Sequence, residues 1–230
     1  MLTAVILAGG RGERLRPLTD SIPKPMIPIK GKPFLQYQLE LLRKHKIADI
    51  LLCVGFLHDK IIDYFGDGSG FKVNIKYSVE DTFLGTAGAL KNAKEYLSQD
   101  FLLLYGDSYL PIDYTLFLQA WYGCNARGLV ACYDNALGID KNNVYLDHEG
   151  KIGSYNKRDP DARANFVEAG VSILKKDILE LIPAGKAVSL EEEIFPLMIK
   201  AGLLHGYPTS QRYYDIGTPQ RLKQIEGALT

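Results

Sequence analysis

The sequence predicts a doubly wound α/β fold, a mostly parallel mixed sheet with helices on both faces. Three observations carry that reading. Short apolar runs recur through the first half, each followed by a helical periodicity. Two of those runs end in glycine, at Gly9-Gly10 and at Gly106-Asp107. The resulting β-α-β-α rhythm is that of strands buried on both faces and joined by crossover helices.

Thr3–Ala8 (TAVILA) is the first buried strand, closed by its glycines. Leu35, Leu39 and Leu42 recur at i, i+4 and i+7, which predicts an amphipathic helix from Phe34 to Lys44. Ile50–Val54 (ILLCV) is a second buried strand, His58–Phe65 a short helix, and Val73–Tyr77 an alternating strand. A helix is expected over Gly88–Leu97, then a buried strand over Phe101–Tyr105 (FLLLY). Tyr114, Phe117, Leu118 and Trp121 mark the next helix, with Asp113 as its N-cap.

The second half changes character. Leu129–Tyr133 reads as a strand, and Val144–Leu146 and Ile152–Tyr155 flank the turn Asp147-His148-Glu149-Gly150, a hairpin signal. Phe166–Leu174 is a longer strand broken by Gly170. Ser189-x-x-Glu192 reads as a capping box opening a helix whose Ile194, Leu197, Met198 and Ala201 line one face. Leu203–Tyr207 is the last strand, and Thr218-Pro219 opens a terminal helix carrying Leu222, Ile225 and Leu229. No linker, repeat or low-complexity segment interrupts the 230 residues, which predicts a single domain.

Composition narrows the function. Apolar residues are 47% and charged ones 23%, a globular balance that excludes a disordered chain. Lys+Arg and Asp+Glu are both 27, so no broad basic face is available for nucleic acid. The charge is uneven, however: residues 1–32 carry a net +4 from Arg11, Arg14, Arg16, Lys24, Lys30 and Lys32 against Glu13 and Asp20. A local positive field of that size suits a small polyanion. Cys53, Cys124 and Cys132 show neither a disulfide framework nor metal-ligand spacing. MLTAVILAGG lacks the basic start of a signal peptide, and no apolar stretch nears the ~18 residues of a membrane span, so a cytoplasmic protein without a membrane partner is expected.

The densest chemical signal is Leu7-Ala8-Gly9-Gly10-Arg11-Gly12-Glu13-Arg14-Leu15-Arg16-Pro17-Leu18-Thr19, followed by Lys24-Pro25. Glycines let the backbone approach a ligand closely, and its N–H groups can cradle phosphate oxygens. Two better-known phosphate loops are excluded. The dinucleotide fingerprint needs a third glycine where Leu15 stands, and the G-x-x-x-x-G-K-[ST] pattern is absent.

At these residues the chain resembles the sugar-1-phosphate nucleotidyltransferases, or nucleoside-diphosphate-sugar pyrophosphorylases. Their signature is similar to L-A-G-G-x-G-x-R-L-x-P-L-T followed by K-P. The resemblance continues through Glu80-Asp81-Thr82-Phe83-Leu84-Gly85-Thr86-Ala87-Gly88, Gly106-Asp107-Ser108, Glu168-Ala169-Gly170-Val171 and Tyr214-Asp215-Ile216-Gly217-Thr218-Pro219. In length and motif style it is most like the short guanylyltransferases of mannose or heptose 1-phosphates. It implies a Rossmann-like sheet in one domain over residues 1–230. Residues 1–125 would form a nucleotide-binding half and 126–230 a sugar-phosphate-binding half with a small β portion.

The resemblance assigns Arg14 and Lys24 to the triphosphate and to catalysis. It gives Leu7, Ala8, Gly9, Gly10, Arg11, Gly12, Glu80, Gly85 and Thr86 to the nucleotide. Lys157, Glu168 and Gly170 fall to the sugar phosphate, and Asp107 and Asp215 to a magnesium ion. Its implied partners are a nucleoside triphosphate and a sugar 1-phosphate, with a homo-oligomer open. Two positions depart from the family pattern: Glu168 stands where many members have Asn, and Glu13 replaces a common Thr. No hexapeptide repeat occurs, so a second, acyl-transfer activity is not expected.

The implied chemistry needs no side-chain base. A phosphate monoester has a second pKa of ~6, so the attacking oxygen is already anionic at neutral pH. Charge neutralisation and in-line positioning remain to be supplied. Glu80 bears on the base: a carboxylate only accepts hydrogen bonds, and guanine offers two adjacent donors. GTP is therefore favoured, with UTP or dTTP next. A non-sugar acceptor such as phosphocholine, and a non-catalytic nucleotide-sugar sensor, are the further readings. The presence of Arg14, Lys24 and Asp107 speaks against the sensor.

Overall fold

In the computed structural model, which describes residues 2–229, the chain alternates strand and helix in its first half and is strand-rich in its second. The first half runs β1 (Thr3–Ala8), β2 (Pro28–Ile29), β3 (Lys32–Pro33), α1 (Phe34–Lys44), β4 (Asp49–Val54), α2 (His58–Phe65), β5 (Asn74–Val79), α3 (Gly85–Asn92), β6 (Asp100–Tyr105), β7 (Ser108–Tyr109) and α4 (Tyr114–Gly123). The second runs β8 (Gly128–Tyr133), β9 (Val144–Leu146), β10 (Ile152–Tyr155), β11 (Val167–Lys175), α5 (Phe195–Lys200), β12 (Leu204–Thr209), β13 (Tyr214–Asp215) and α6 (Pro219–Ala228). Met1 and Thr230, the ends of the expected domain, lie outside the described residues.

The main sheet has the order β12-β8-β11-β6-β1-β4-β5. β5, β4, β1 and β6 are parallel, β11 is antiparallel to both β6 and β8, and β12 is parallel to β8. This is the mostly parallel α/β sheet that the sequence predicts. Alternation along β1 shows why both faces are covered. Ala4 and Ile6 pack in one buried cluster with Leu35 and Leu39 of α1, Ile61 of α2 and Phe117 of α4. Val5, between them, joins a second cluster with Leu90 of α3 and Phe195 of α5. Strand side chains point alternately to opposite faces, so an uninterrupted apolar run serves both layers.

The chain leaves β1 for β4 on one side and returns for β6 on the other. A crevice opens at such a reversal, beyond the carboxyl ends of the strands. The Gly106 N–H donates to the Leu7 carbonyl at 2.8 Å and ties these two ends together. A Cβ on Gly106 would meet that same carbonyl, so the approach requires glycine. A third buried cluster, with Leu15, Ile29, Phe34, Ile216 and Ile225, fastens the glycine-rich loop to α1 and α6.

Four expectations need correction. The helix expected over Gly88–Leu97 begins at Gly85 and gives way to a 3-10 turn at Lys94–Tyr96. Its first turn is held by the Val188 carbonyl, a long-range partner that periodicity does not reveal. The strand around Gly170 is continuous, but its register shifts between Glu168 and Ser172, and Gly170 sits at φ 79° in a bulge. The Ser189 hydroxyl does accept the Glu192 N–H, yet Glu193 rather than Glu192 reaches back to the Ser189 N–H. A π-turn over Leu190–Ile194 adds one residue there and rotates the helix. Leu190, Ile194, Phe195 and Met198 are consequently buried, while Leu197 and Ala201 face out. The last strand runs to Thr209 through Pro208, which an edge strand tolerates.

Candidate active site

A cleft of about 640 Å³ opens above the carboxyl ends of β1 and β6. Leu7, Ala8, Gly9, Gly10, Arg11, Gly12, Arg14, Lys24, Glu80, Gly85, Thr86 and Asp107, all named from the sequence, line it. Gly12 shapes the loop. It adopts φ 64° and caps the 3-10 turn Glu13–Leu15, and its carbonyl accepts from the Thr19 hydroxyl at 2.9 Å and the Leu15 N–H at 2.9 Å. Buried Leu15 anchors the turn, and Arg11 and Arg14 stay exposed at its rim. The Arg14 guanidinium leans toward Gly217 on the opposite wall.

Lys24 Nζ lies 2.5 Å from Asp107 Oδ2. Burial pushes the Asp107 carboxyl up, but the Lys24 ammonium outweighs it, with help from Lys157 and the Ser108 hydroxyl. The carboxyl is held below its ordinary value and stays ionised. Asp215, named from the sequence with Asp107, is not in the lining of this cleft; it borders a second, smaller cavity, while its neighbour Gly217 lines the cleft, and a short ladder ties it to Asp107. β13 pairs antiparallel with β7, setting Asp215 opposite Ser108, and the Ile216 N–H donates to the Asp107 carbonyl at 3.0 Å. Asp215 Oδ1 accepts the Gly217 N–H at 2.7 Å, and its other oxygen is held by Arg221.

Glu80 closes the far end of the cleft. Its Oε2 accepts the Leu84 N–H at 3.0 Å, and its Oε1 rests over Gly9 and Gly55, where a Cβ on either glycine would collide with it. Burial raises its carboxyl above the ordinary value, partly offset by the Leu84 N–H. Cys53 lies beside it on the floor, and burial, then the Glu80 charge, push its thiol up to about 12. That thiol is therefore neutral and inert.

Lys157, Glu168 and Gly170 sit together, beside the main cleft rather than in its lining. Lys157 Nζ lies 3.0 Å from Glu168 Oε2, and Glu168 Oε1 accepts the Gly170 N–H at 2.6 Å. The Glu168 side chain is only 4% exposed. Lys157 also stands over the rings of Tyr105, a cleft residue, and Tyr155. Burial lowers the Lys157 pKa, but the Glu168 carboxylate, then Tyr155 and Glu191, raise it further, so the ammonium is firmly charged.

Several site residues escaped the sequence reading. Glu191 Oε2 accepts the Thr86 hydroxyl at 2.6 Å and the Ser189 hydroxyl at 3.0 Å, and it faces Tyr105 and Lys157. The Thr86 hydroxyl also accepts the Leu190 N–H at 2.7 Å, so it is committed to the protein. Glu191 was hidden inside a helix-capping motif. Phe83, 68% exposed at the cleft rim, left no periodic signal. Arg221 sits in the first turn of α6, where a cation opposes the helix dipole. That misfit was a readable sign.

The profile of the nucleotidyl transferase family matches residues 3–230. The UTP–glucose-1-phosphate uridylyltransferase of Synechocystis sp. is 32% identical over all of this chain and 64% of its own length. The mannose-1-phosphate guanylyltransferase of Mycobacterium tuberculosis is 32% identical over 94% of this chain and 61% of its own. This chain thus spans less than two thirds of those two relatives. The D-glycero-alpha-D-manno-heptose 1-phosphate guanylyltransferase of Campylobacter jejuni is 30% identical, covering 95% of this chain and 96% of itself. HddC from Yersinia pseudotuberculosis, in a crystal structure complexed with GMP-PN, superposes with a TM-score of 0.85 at 28% identity, with both chains covered completely. With the glycine loop and the paired lysine and aspartate assembled on one crevice, these matches place the chain in the nucleotidyl transferase family, among the sugar-1-phosphate nucleotidyltransferases.

Proposed function

We propose that this protein joins a nucleoside triphosphate, GTP by preference, to a mannose- or heptose-like sugar 1-phosphate and releases pyrophosphate. An oxygen of the sugar 1-phosphate forms a bond to the α-phosphorus, and the bond from that phosphorus to the β-phosphate bridging oxygen breaks. The observation that carries this reading is the Lys24–Asp107 pair at 2.5 Å, set in a crevice with a glycine loop on one wall and Glu80 at its end. Backbone N–H groups of the Gly9–Gly12 loop would hold phosphate oxygens. Arg14 and Lys24 would meet charge on the α-phosphate and on the leaving pyrophosphate, where fixed cations lower a barrier most.

Asp107 and Asp215 fit a magnesium ion. Both are oxygen donors, the β7–β13 ladder sets Asp215 opposite Ser108, the residue after Asp107, and a hard cation takes one or two carboxylates with phosphate oxygens and water. No cluster of three metal-ligating side chains occurs among the described residues, so the substrate would complete such a shell. When bound, the ion would neutralise phosphate charge and draw the two substrates together. The protein's part is to keep Asp107 ionised through Lys24 and to orient Asp215 through the Gly217 N–H.

Base choice falls to Glu80. Its Oε2 uses one lone pair on Leu84, and a carboxylate has about four acceptor sites, so both oxygens keep capacity for the N1–H and N2–H₂ of guanine. The test is a pyrophosphate-release panel of nucleoside triphosphates against sugar 1-phosphates. The highest kcat/KM is expected for GTP with a mannose- or heptose-type acceptor. A pyrimidine triphosphate in first place would replace the base assignment, and release with phosphocholine alone would replace the acceptor. The likeness to the uridylyltransferase of Synechocystis sp. makes UTP with glucose 1-phosphate the second reading to include.

A further inference from the structure

Arg221 has no part in the chemistry described so far. Like Asp215, it does not line the main cleft; the two share a separate cavity of about 170 Å³ bounded also by Tyr213, Thr218 and Asp140. One guanidinium nitrogen pairs with Asp215, and the other donates to Asp140 Oδ1 at 2.6 Å. The Asp140 side chain is 9% exposed and the Asp215 side chain 17%, while the Arg221 side chain that joins them is 37% exposed.

The location is costly on local grounds. Arg221 is the third residue of α6, whose N-terminus already carries partial positive charge. A glutamate there would complete a capping box with Thr218, whose hydroxyl accepts the Arg221 N–H at 3.3 Å. Arginine gives up that gain for a fork that reaches two carboxylates at once, which is the geometry a planar guanidinium supplies and lysine does not.

Asp140 is itself held firmly. It lies in the loop between β8 and β9, which Asn135 organises from a left-handed conformation at φ 50°. Asn135 Nδ2 donates to the Asp140 carbonyl at 2.6 Å, and Asn135 Oδ1 accepts the N–H groups of Ile139 at 3.1 Å and Asp140 at 3.2 Å. A pinned backbone therefore presents Asp140 to Arg221, and Arg221 to Asp215.

We infer that Arg221 is a positioning residue for Asp215, and that Asp140 holds Arg221 in that role. This rests on the reading of Asp215 as a metal carboxylate. Carboxylates that bind metals are themselves held by hydrogen-bonding partners, and losing such a partner weakens metal affinity by about 10–100-fold. Arg221 and Asp215 share the smaller cavity, and Asp215 meets the cleft through Gly217, whose N–H it accepts, so Arg221 orients the carboxylate without lining the nucleotide cleft.

The experiment titrates Mn²⁺, read by electron paramagnetic resonance, into the full chain saturated with a non-hydrolysable GTP analogue. Arg221→Met is expected to lower Mn²⁺ affinity about 10–100-fold. Asp140→Asn should lower it less, and the double variant no further than Arg221→Met alone, because the two act in series. Arg221→Lys should recover only part of the loss. Asp140→Asn leaves Arg221 and Asp215 in place and carries the test if Arg221→Met unfolds early in a parallel melt. Affinity lost in Asp215→Asn but unchanged in Arg221→Met and Asp140→Asn would overturn the role of Arg221 and leave the metal reading standing. Unchanged affinity in Asp215→Asn would overturn both.

Discussion

The two halves of the site treat charge in opposite ways. On the side we propose for the nucleotide, Arg11 and Arg14 stand exposed with no ion-pair partner among the described residues, and Lys24 faces a single carboxylate. On the side we propose for the acceptor, Lys157 is matched against Glu168 at 3.0 Å, with Glu191 close by. The first arrangement leaves positive field over for a polyanion. In the second, the one cation is outnumbered by carboxylates before any ligand arrives, and the cluster offers both donors and acceptors, as a polyhydroxylated group would require. Strand direction follows the same division: the nucleotide side rests on parallel strands and the acceptor side on the antiparallel β11.

The contrast breaks most severely at Lys24 and Asp107. Lys24→Ala and Asp107→Asn are each expected to lower kcat by ~10²–10³, the scale for removing a group that meets transition-state charge. Steady-state pyrophosphate release checks this, and near-wild-type turnover in both variants would detach the pair from the chemistry. On the other side, Lys157→Ala strands a buried carboxylate. The loss of stability should fall below the ~3–5 kcal/mol of a fully buried pair, because the lysine side chain is 49% exposed. Chemical denaturation measures it, and the kinetic change should appear in the KM of the acceptor. A change confined to the KM of the triphosphate would move Lys157 to the nucleotide side.

Glu80 sharpens the comparison at smaller scale. Glu80→Gln should reduce discrimination for GTP over UTP by ~1–3 kcal/mol, the worth of a bidentate base contact. Burial raises the Glu80 pKa, so its carboxylate takes up a proton at a higher pH than an ordinary glutamate. GTP preference should therefore decline as pH falls, earlier than turnover supported by Asp107, whose pKa is lowered. A ratio of the two kcat/KM values that stays flat as pH is lowered into the ordinary glutamate range would remove Glu80 from base selection. The smallest effect belongs to a position outside both halves of the site. Asp113 caps α4 by accepting from the Thr115 N–H at 2.8 Å. Asp113→Ala should lower the midpoint of a thermal or urea melt slightly, through loss of the cap, and leave kinetics untouched.

How much of this was legible depends on the range of the forces involved. β1, α1, α2, β9 and β10 follow the sequence reading residue for residue or nearly so, because burial on a repeating face leaves a local pattern. The glycine loop was legible for a different reason: close backbone approach demands glycine, and Gly12 does adopt a positive φ. The start of α3 was not legible, since its first N–H groups are satisfied by Val188, about a hundred residues away. The Ser189 motif misled because a π-turn shifts the register by one, and it concealed Glu191 as a mere helix former. Asp215 was named from the motif, but the β7–β13 ladder that delivers it has two residues per strand, too short to carry any periodicity.

The edges of the main sheet have a consequence for how the chain behaves in a crowd of its own copies. An open strand edge invites another strand to pair with it. On β12 the Gly206 N–H is taken by the Gly150 carbonyl at 2.9 Å, and two residues further along, where the next outward N–H would stand, Pro208 has none. On β5, at the opposite edge, the Ile75 N–H is taken by the Asp67 carbonyl at 2.8 Å. A turn, a missing hydrogen and a loop thus blunt both borders, so the apolar strands between them are poor templates for strand-by-strand aggregation.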